Sequence, residues 1–157
     1  MPAYAHTAHL MKFDEETGGK RKLSKRKDPE LSLDYYRKDG YHPYTMKVYL
    51  LTLLNSNFEE WHEKFPDKDI NEFPFSVEKM KQSGALFDKD KLHNICKNEL
   101  SKLSEEELYD FLYDWAKENE PENVEKWFGD REDIPSLYMD GIRPSYNNQV
   151  KALGLFS

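Results

Sequence analysis

Three segments of this chain carry apolar residues at helical spacing, and each is opened by its own start signal. That pattern constrains the fold more than any other feature. Pro43 opens the first segment, in which Met46, Leu50, Leu53 and Leu54 make one apolar face up to about Asn55. Phe58 and Trp61 continue that face past a small break at Ser56. Asp88 caps the second, about Lys89 to Leu103, with Leu92, Ile95, Cys96, Leu100 and Leu103 on one side. Ser104 followed by Glu107 is a capping box for the third, which runs to about Asn119 and is expected to bury Leu108, Phe111, Leu112 and Trp115. Segments so patterned hide their stripes against one another, so a mainly α fold is expected.

The remaining punctuation is weaker. Residues 64–76 read as a loop with two prolines. Val77 to Gln82 read as one helical turn closed by Ser83 and Gly84, and Val124 to Phe128 as a short helix. Asp130 to Pro135 is loop-like, and Tyr138 to Leu155 shows no clear period. The 157 residues suffice for one ordinary domain or two small ones. A single cysteine, Cys96, rules out an internal disulfide framework and fits a reducing compartment. Its place on an apolar face makes it a small core residue rather than a nucleophile. No apolar run approaches the about 18 residues of a membrane span, and no secretory signal pattern opens the chain. A soluble cytoplasmic protein with no membrane partner is expected.

Net charge is −7, unevenly placed: the first fifty residues carry +3 and the remainder −10. The positive excess is concentrated between Lys20 and Lys27, where six of eight residues are basic: Lys20, Arg21, Lys22, Lys25, Arg26 and Lys27. His9 to Phe13 reads as a strand, Asp14 to Gly19 as a turn, and Arg21 to Leu23 as a returning strand that presents Ser24 to Lys27. Asp28 then reads as the N-cap of a helix with Pro29 at its first position, ending near Asp39 with Gly40 as the stop. A cluster of cations this dense repels itself unless an anion lies across it, and phosphates are the natural anions. Two readings stay open from these residues alone: a solvated basic loop, or a mobile loop whose lysines grip a triphosphate. His6 and His9 have metal-like spacing but no third ligand nearby, and read as a surface pair; no metal site is expected. No P-loop, dinucleotide fingerprint, Ser/His/Asp set or zinc-spaced Cys/His cluster is present.

The pentad Lys22-Leu23-Ser24-Lys25-Arg26 resembles the KMSKS signature of class I aminoacyl-tRNA synthetases in its KLSKR form, which is typical of the glutamyl-tRNA synthetases. Three further stretches share the resemblance: Tyr35 to Tyr41 followed by Pro43, Tyr49 to Trp61, and Ser83 to Asp88 followed by Lys91-Leu92. Order and spacing agree from about Pro2 to Tyr113, and KRKDPE and NSNFEEW look like a Firmicutes-type subgroup. The chain departs from the family where Asn94 and Cys96 follow Lys91-Leu92, and where Lys27-Asp28-Pro29 follows the pentad in place of the frequent His-Gly.

What the resemblance implies is specific. Residues 1–27 would be the last hairpin of a catalytic domain with its signature loop. Residues 28–84 would form a helical stem-contact domain, and residues 85–157 the start of a helical anticodon-binding region. The nucleotide-binding half of the family, with its HIGH signature, has no counterpart here, so a fragment of a larger enzyme is expected. That enzyme would activate glutamate with ATP and Mg²⁺ and pass the glutamyl group to tRNA(Glu), with tRNA(Gln) as a further candidate. The fragment alone would be inactive and hold no cofactor. Lys25 would be the principal ATP contact and Lys22 its helper, while Ser24 and Arg26 would shape the loop or add hydrogen bonds. The competing expectation is a stand-alone tRNA-binding module without catalysis.

Overall fold

Strand β1 (Leu10–Phe13) and strand β2 (Lys20–Lys22) pair antiparallel in the register Met11↔Lys22, Lys12↔Arg21, Phe13↔Lys20. This is a computed structural model, and it describes Tyr4 and residues 6–128. The connecting turn closes through Asp14, whose carbonyl accepts from the Gly18 amide at 2.8 Å and whose amide donates to the Gly19 carbonyl at 2.8 Å. Gly18 takes φ +68°, a left-handed conformation that glycine adopts without a Cβ clash. A third strand, β3 (Ala85–Leu86), lies parallel to β1 on its other side, giving the order β2-β1-β3. The sequence had offered no strand there. Gly84 makes the approach possible: a Cβ at that position would lie 2.6 Å from Met11 Cγ and 3.0 Å from the His9 carbonyl oxygen.

The rest is helical, and the fold is mainly α with short N-terminal strands. The helix expected from Asp28 to Asp39 is instead two pieces, a 3₁₀ turn at Pro29–Leu31 and helix α1 (Leu33–Lys38). Extended backbone at Ser32 separates them, and the Tyr36 hydroxyl donates at 2.8 Å to the Glu30 carbonyl that the break leaves free. Gly40 is the stop, at φ +78°. The Tyr41 amide reaches back to the Tyr36 carbonyl and the Gly40 amide to the Arg37 carbonyl, the paired bonds of a Schellman ending.

Helix α2 (Pro43–Leu54) is the central element, and it is enclosed more widely than one stripe. Met46, Tyr49 and Leu53 face a core completed by Tyr36, Tyr41, Leu92 and Cys96. Val48 joins a second core with Phe58, Ile70 and Phe73. Leu50 and Leu54, expected in the core, are only half-buried, while Val48 and Tyr49 are buried. Two threonines sit inside at no cost in unpaired hydroxyls: Thr45 donates to the His42 carbonyl at 2.7 Å and Thr52 to the Val48 carbonyl at 2.9 Å.

Helix α3 (Phe58–Lys64) is a separate helix, because Asn55 leaves α2 in extended backbone and bridges to Met80. The segment read as one turn after residue 76 is a 3₁₀ turn at Val77–Lys79. Helix α4 (Lys89–Leu100) packs on α2, with the Asp88 carboxylate accepting from the Lys91 amide at 3.0 Å. Cys96 is buried there, its thiol donating to Thr45 Oγ1 at 3.3 Å, and burial pushes the thiol pKa up.

Helix α5 (Glu105–Asn119) starts with the expected capping box. Its buried residues are Leu108, Tyr109, Leu112 and Ala116, whereas Phe111 and Trp115 are half-buried. Both reach toward the central body. The Phe111 ring lies 4.5 Å from that of His42, and the Trp115 indole donates to the Arg37 carbonyl at 2.9 Å. Phe128, on helix α6 (Val124–Phe128), closes this third core. The regions read at Asp130 to Pro135 and Tyr138 to Leu155 lie outside the described residues.

Candidate functional site

The ladder determines which basic residues reach solvent. Along β2 the side chains alternate, so Lys20 and Lys22 are exposed while Arg21 turns to the half-buried side. Leu23, 3% exposed, continues the ladder by donating its amide to the Leu10 carbonyl at 2.9 Å. It marks where the sheet ends and the loop begins.

From Ser24 to Asp28 the chain makes one closed turn. The Ser24 carbonyl accepts from the Lys27 amide at 3.1 Å and the Asp28 amide at 2.8 Å. Ser24 Oγ accepts from the Arg26 amide at 3.4 Å. Lys25, Arg26 and Lys27 occupy the exposed arc of this turn. Among the described residues none of the three has a carboxylate within ion-pair distance. Lys22 is not ion-paired there either; its Nζ lies 3.1 Å from His9 Nε2.

Arg21 behaves differently. Its guanidinium donates twice to Asp28, Nη1 to Oδ2 at 2.8 Å and Nη2 to Oδ1 at 2.7 Å. Lys12, opposite Arg21 in the ladder, approaches Asp28 Oδ1 at 3.1 Å and Glu30 Oε1 at 3.4 Å. The Ser24 amide adds a bond to Asp28 Oδ2 at 2.7 Å. Asp28 is 2% exposed. The Arg21 guanidinium first, then the Ser24 amide, hold its carboxyl well below the usual carboxylate range. The expectation that Asp28 caps a helix is therefore corrected: its side chain makes no cap bond and turns to the cations instead. A bidentate pair of bonds to a guanidinium outweighs a cap bond to one backbone amide.

The loop thus contains two kinds of cation. Arg21, with Lys12 from the neighbouring strand, is used internally. Lys25, Arg26 and Lys27 are exposed to an external anion, and Lys22 stands beside them against the His9 ring. The local pattern does not separate Arg21 from the other cations, reads Asp28 as a helix cap and His9 as half of a surface pair, and gives Lys12 no role. The register of a hairpin assigned from Arg21 to Leu23, one residue late, hid the Lys12–Arg21 pairing. A lone carboxylate directly after six cations was the signal available.

The same carboxylates bear on metal binding. Among the described residues no group of three or more His, Cys, Asp or Glu is placed to hold a metal ion. Asp28 and Glu30, carboxylates beside the loop, each lie within ion-pair distance of Lys12, and Asp28 also of Arg21. No described helix is long and apolar enough to cross a membrane.

The sequence is similar to those of several bacterial ligases. It is 61% identical over 124 residues to the glutamate–tRNA ligase of Acetivibrio thermocellus, covering 79% of this chain and 22% of that protein. It is 45% identical over 121 residues to that of Clostridium perfringens strain 13, covering 77% and 22%. It is 39% identical over 131 residues to that of Sorangium cellulosum, covering 76% and 23%. No protein-family profile matches the chain, and no solved structure matches it. These relatives place the chain among the aminoacyl-tRNA synthetases. Within that class it belongs with the glutamate–tRNA ligases, spanning about a fifth of the length of the curated relatives it matches.

Proposed function

We propose that this chain supplies the phosphate-gripping loop and tRNA-facing helices of a glutamate–tRNA ligase acting in the cytoplasm. The observation that carries the reading is the sorting of cations in one short turn: Arg21 is tied inward, while Lys25, Arg26 and Lys27 are left exposed and without ion-pair partners among the described residues.

The chemistry follows from where charge moves. A glutamate carboxylate oxygen attacks the α-phosphorus of ATP. The bond from that phosphorus to the bridging oxygen breaks, and pyrophosphate leaves with the electron pair. Negative charge grows on the departing oxygens, so ammonium groups that meet them there stabilise the transition state more than the ground state. Lys25 is the principal contact, Lys22 its helper, and Ser24 and Arg26 fix the turn or add hydrogen bonds. A lysine suits this task because its compact charge rides a flexible stem. Mg²⁺ belongs with the triphosphate rather than with residues of this chain. The glutamyl group then passes to tRNA(Glu), and tRNA(Gln) is the second acceptor to assay.

The family's organisation divides the chain into a catalytic-domain end at 1–27, a stem-contact part at 28–84 and the beginning of an anticodon-binding region from 85. The test is ATP–pyrophosphate exchange by the full-length ligase carrying Lys25→Ala. Loss of one such donor lowers the rate by about 10²–10³ with glutamate affinity little changed. Normal exchange would remove the assignment and leave a tRNA-binding module without a part in activation.

A further inference from the structure

Among the described residues several clusters of polar side chains lie off the exposed arc of the loop, these three among them. His62, Glu99 and Lys102 join α3 to α4, with His62 Nε2 2.8 Å from Glu99 Oε1 and Lys102 Nζ 2.9 Å from the same oxygen. His9 and Lys22 form a single exposed contact. The third cluster is built around Asp28, and it is the one whose geometry controls something else.

We infer that Asp28 is a positioning residue for the loop, acting on the placement of Lys25 without touching the substrate. The inference rests on the proposed function of Lys25 and extends it. Asp28 stands at the far end of the turn, yet its Oδ2 accepts from the amide of Ser24 at the near end, 2.7 Å away. Its own amide donates to the Ser24 carbonyl at 2.8 Å. Backbone and side chain of one residue therefore close the same ring, with Lys25, Arg26 and Lys27 strung between the closures.

The ring is in turn fixed to the sheet. Arg21 and Lys12 face each other across the β1–β2 ladder and both reach the Asp28 carboxylate, Arg21 with both of its terminal nitrogens. Buried Leu23 anchors the entry to the loop. Only a carboxylate meets these demands. It must accept from a guanidinium fork, an ammonium and an amide at once, which an asparagine, with one acceptor oxygen and two N–H donors, cannot do. A buried ion pair is by itself weak evidence of stabilisation, and here it also gives direction: it orients the exposed cations by consuming the others.

The magnitude comes from positioning. A displacement of about 1 Å at a catalytic group costs on the order of 10²-fold in rate. Asp28→Asn leaves the charge of Lys25 intact but places an N–H group against the Arg21 fork and opens the ring.

The experiment is a double-mutant cycle on the full-length ligase, read by ATP–pyrophosphate exchange: Asp28→Asn, Lys25→Ala and the pair. Asp28→Asn is expected to lower kcat by about 10²-fold with the KM for glutamate unchanged. In the Lys25→Ala background the same substitution is expected to cost little more, because the group it positions is gone. Arg21→Lys, which keeps charge but loses the fork, is expected to give a smaller loss that also vanishes with Lys25→Ala. An equal fractional loss in both backgrounds would mean a general structural role and would overturn the inference, as would normal kcat in Asp28→Asn. If thermal melting shows that Asp28→Asn does not fold, Arg21→Lys decides the question by the same cycle. Failure of both to fold also overturns it. Normal exchange by Lys25→Ala alone would instead overturn the proposed function, so the two failures are distinct.

Discussion

Replacing Tyr49 by phenylalanine tests how the helical body is held together. The Tyr49 ring is 1% exposed in the core between α2 and α4. Its hydroxyl accepts from the Asp88 amide at 2.9 Å and donates to the Asp88 carbonyl at 3.1 Å, so one phenol clamps the backbone at the start of α4 to the middle of α2. Burial pushes its pKa up to about 12, so the hydroxyl keeps its proton, and both bonds, across the ordinary pH range. Phenylalanine preserves the ring and its 5.8 Å edge contact with Phe87 while removing both bonds. Each hydrogen bond contributes about 0.5–1.5 kcal/mol net. Asp88 as a whole is exposed, and water can serve part of what the phenol leaves, so the expected cost is about 1–2 kcal/mol. For a chain of this size that corresponds to a fall in Tm of about 2–8 °C. The assay is urea unfolding followed by circular dichroism, with thermal melting alongside. The midpoint should fall at unchanged slope, since the surface exposed on unfolding is the same. Asp88→Asn should not reproduce the effect, because the clamp uses that residue's backbone. A Tyr49→Phe protein with the wild-type midpoint would refute the reasoning.

Three further outcomes are expected. Gly84→Ala should destabilise by about 1–3 kcal/mol, because the new Cβ meets the Met11 side chain at 2.6 Å and the His9 backbone at 3.0 Å; urea unfolding measures it, and an unchanged midpoint would count against the β1–β3 packing. Cys96 should react with a thiol reagent far more slowly in the native protein than in urea, because burial both shields the thiol and raises its pKa. Asp28 should confer acid sensitivity. Its folded pKa lies below its unfolded value, so the unfolded chain takes the proton first, and the stabilisation, full above the ordinary carboxylate range, fades as pH falls through it toward the folded pKa. The urea midpoint of the parent protein should therefore drop more steeply below about pH 5 than that of Asp28→Asn.

The helices were legible because period and caps are local. Pro43, Asp88 and the Ser104–Glu107 box sit where the sequence put them, and each helix they open is present. The sequence was least informative where partners come from far along the chain. Ala85–Leu86 is too short to show alternation, and becomes a strand only because Gly84 lets it lie beside β1. Two cores share α2, so a single helical stripe credits Leu50 and leaves out Val48. In the loop, local pattern identified a dense cationic run and the KLSKR pentad. It did not separate Arg21 from Lys25, since that distinction depends on a strand register and on a carboxylate that local rules assign to helix capping. At Asp28 the cap preference loses to a bidentate guanidinium contact, whereas Asp88, which has none among the described residues, keeps its cap bond.

In the proposed reaction the ammonium group of Lys25 meets charge that develops on the leaving pyrophosphate. Single-turnover formation of glutamyl-adenylate by the full-length ligase, with every substrate saturating, measures that step apart from differences in binding. The Lys25→Ala enzyme is predicted to form adenylate about 10²–10³ times more slowly than the parent. An unchanged single-turnover rate, with any defect confined to the ATP concentration required, would contradict the claim.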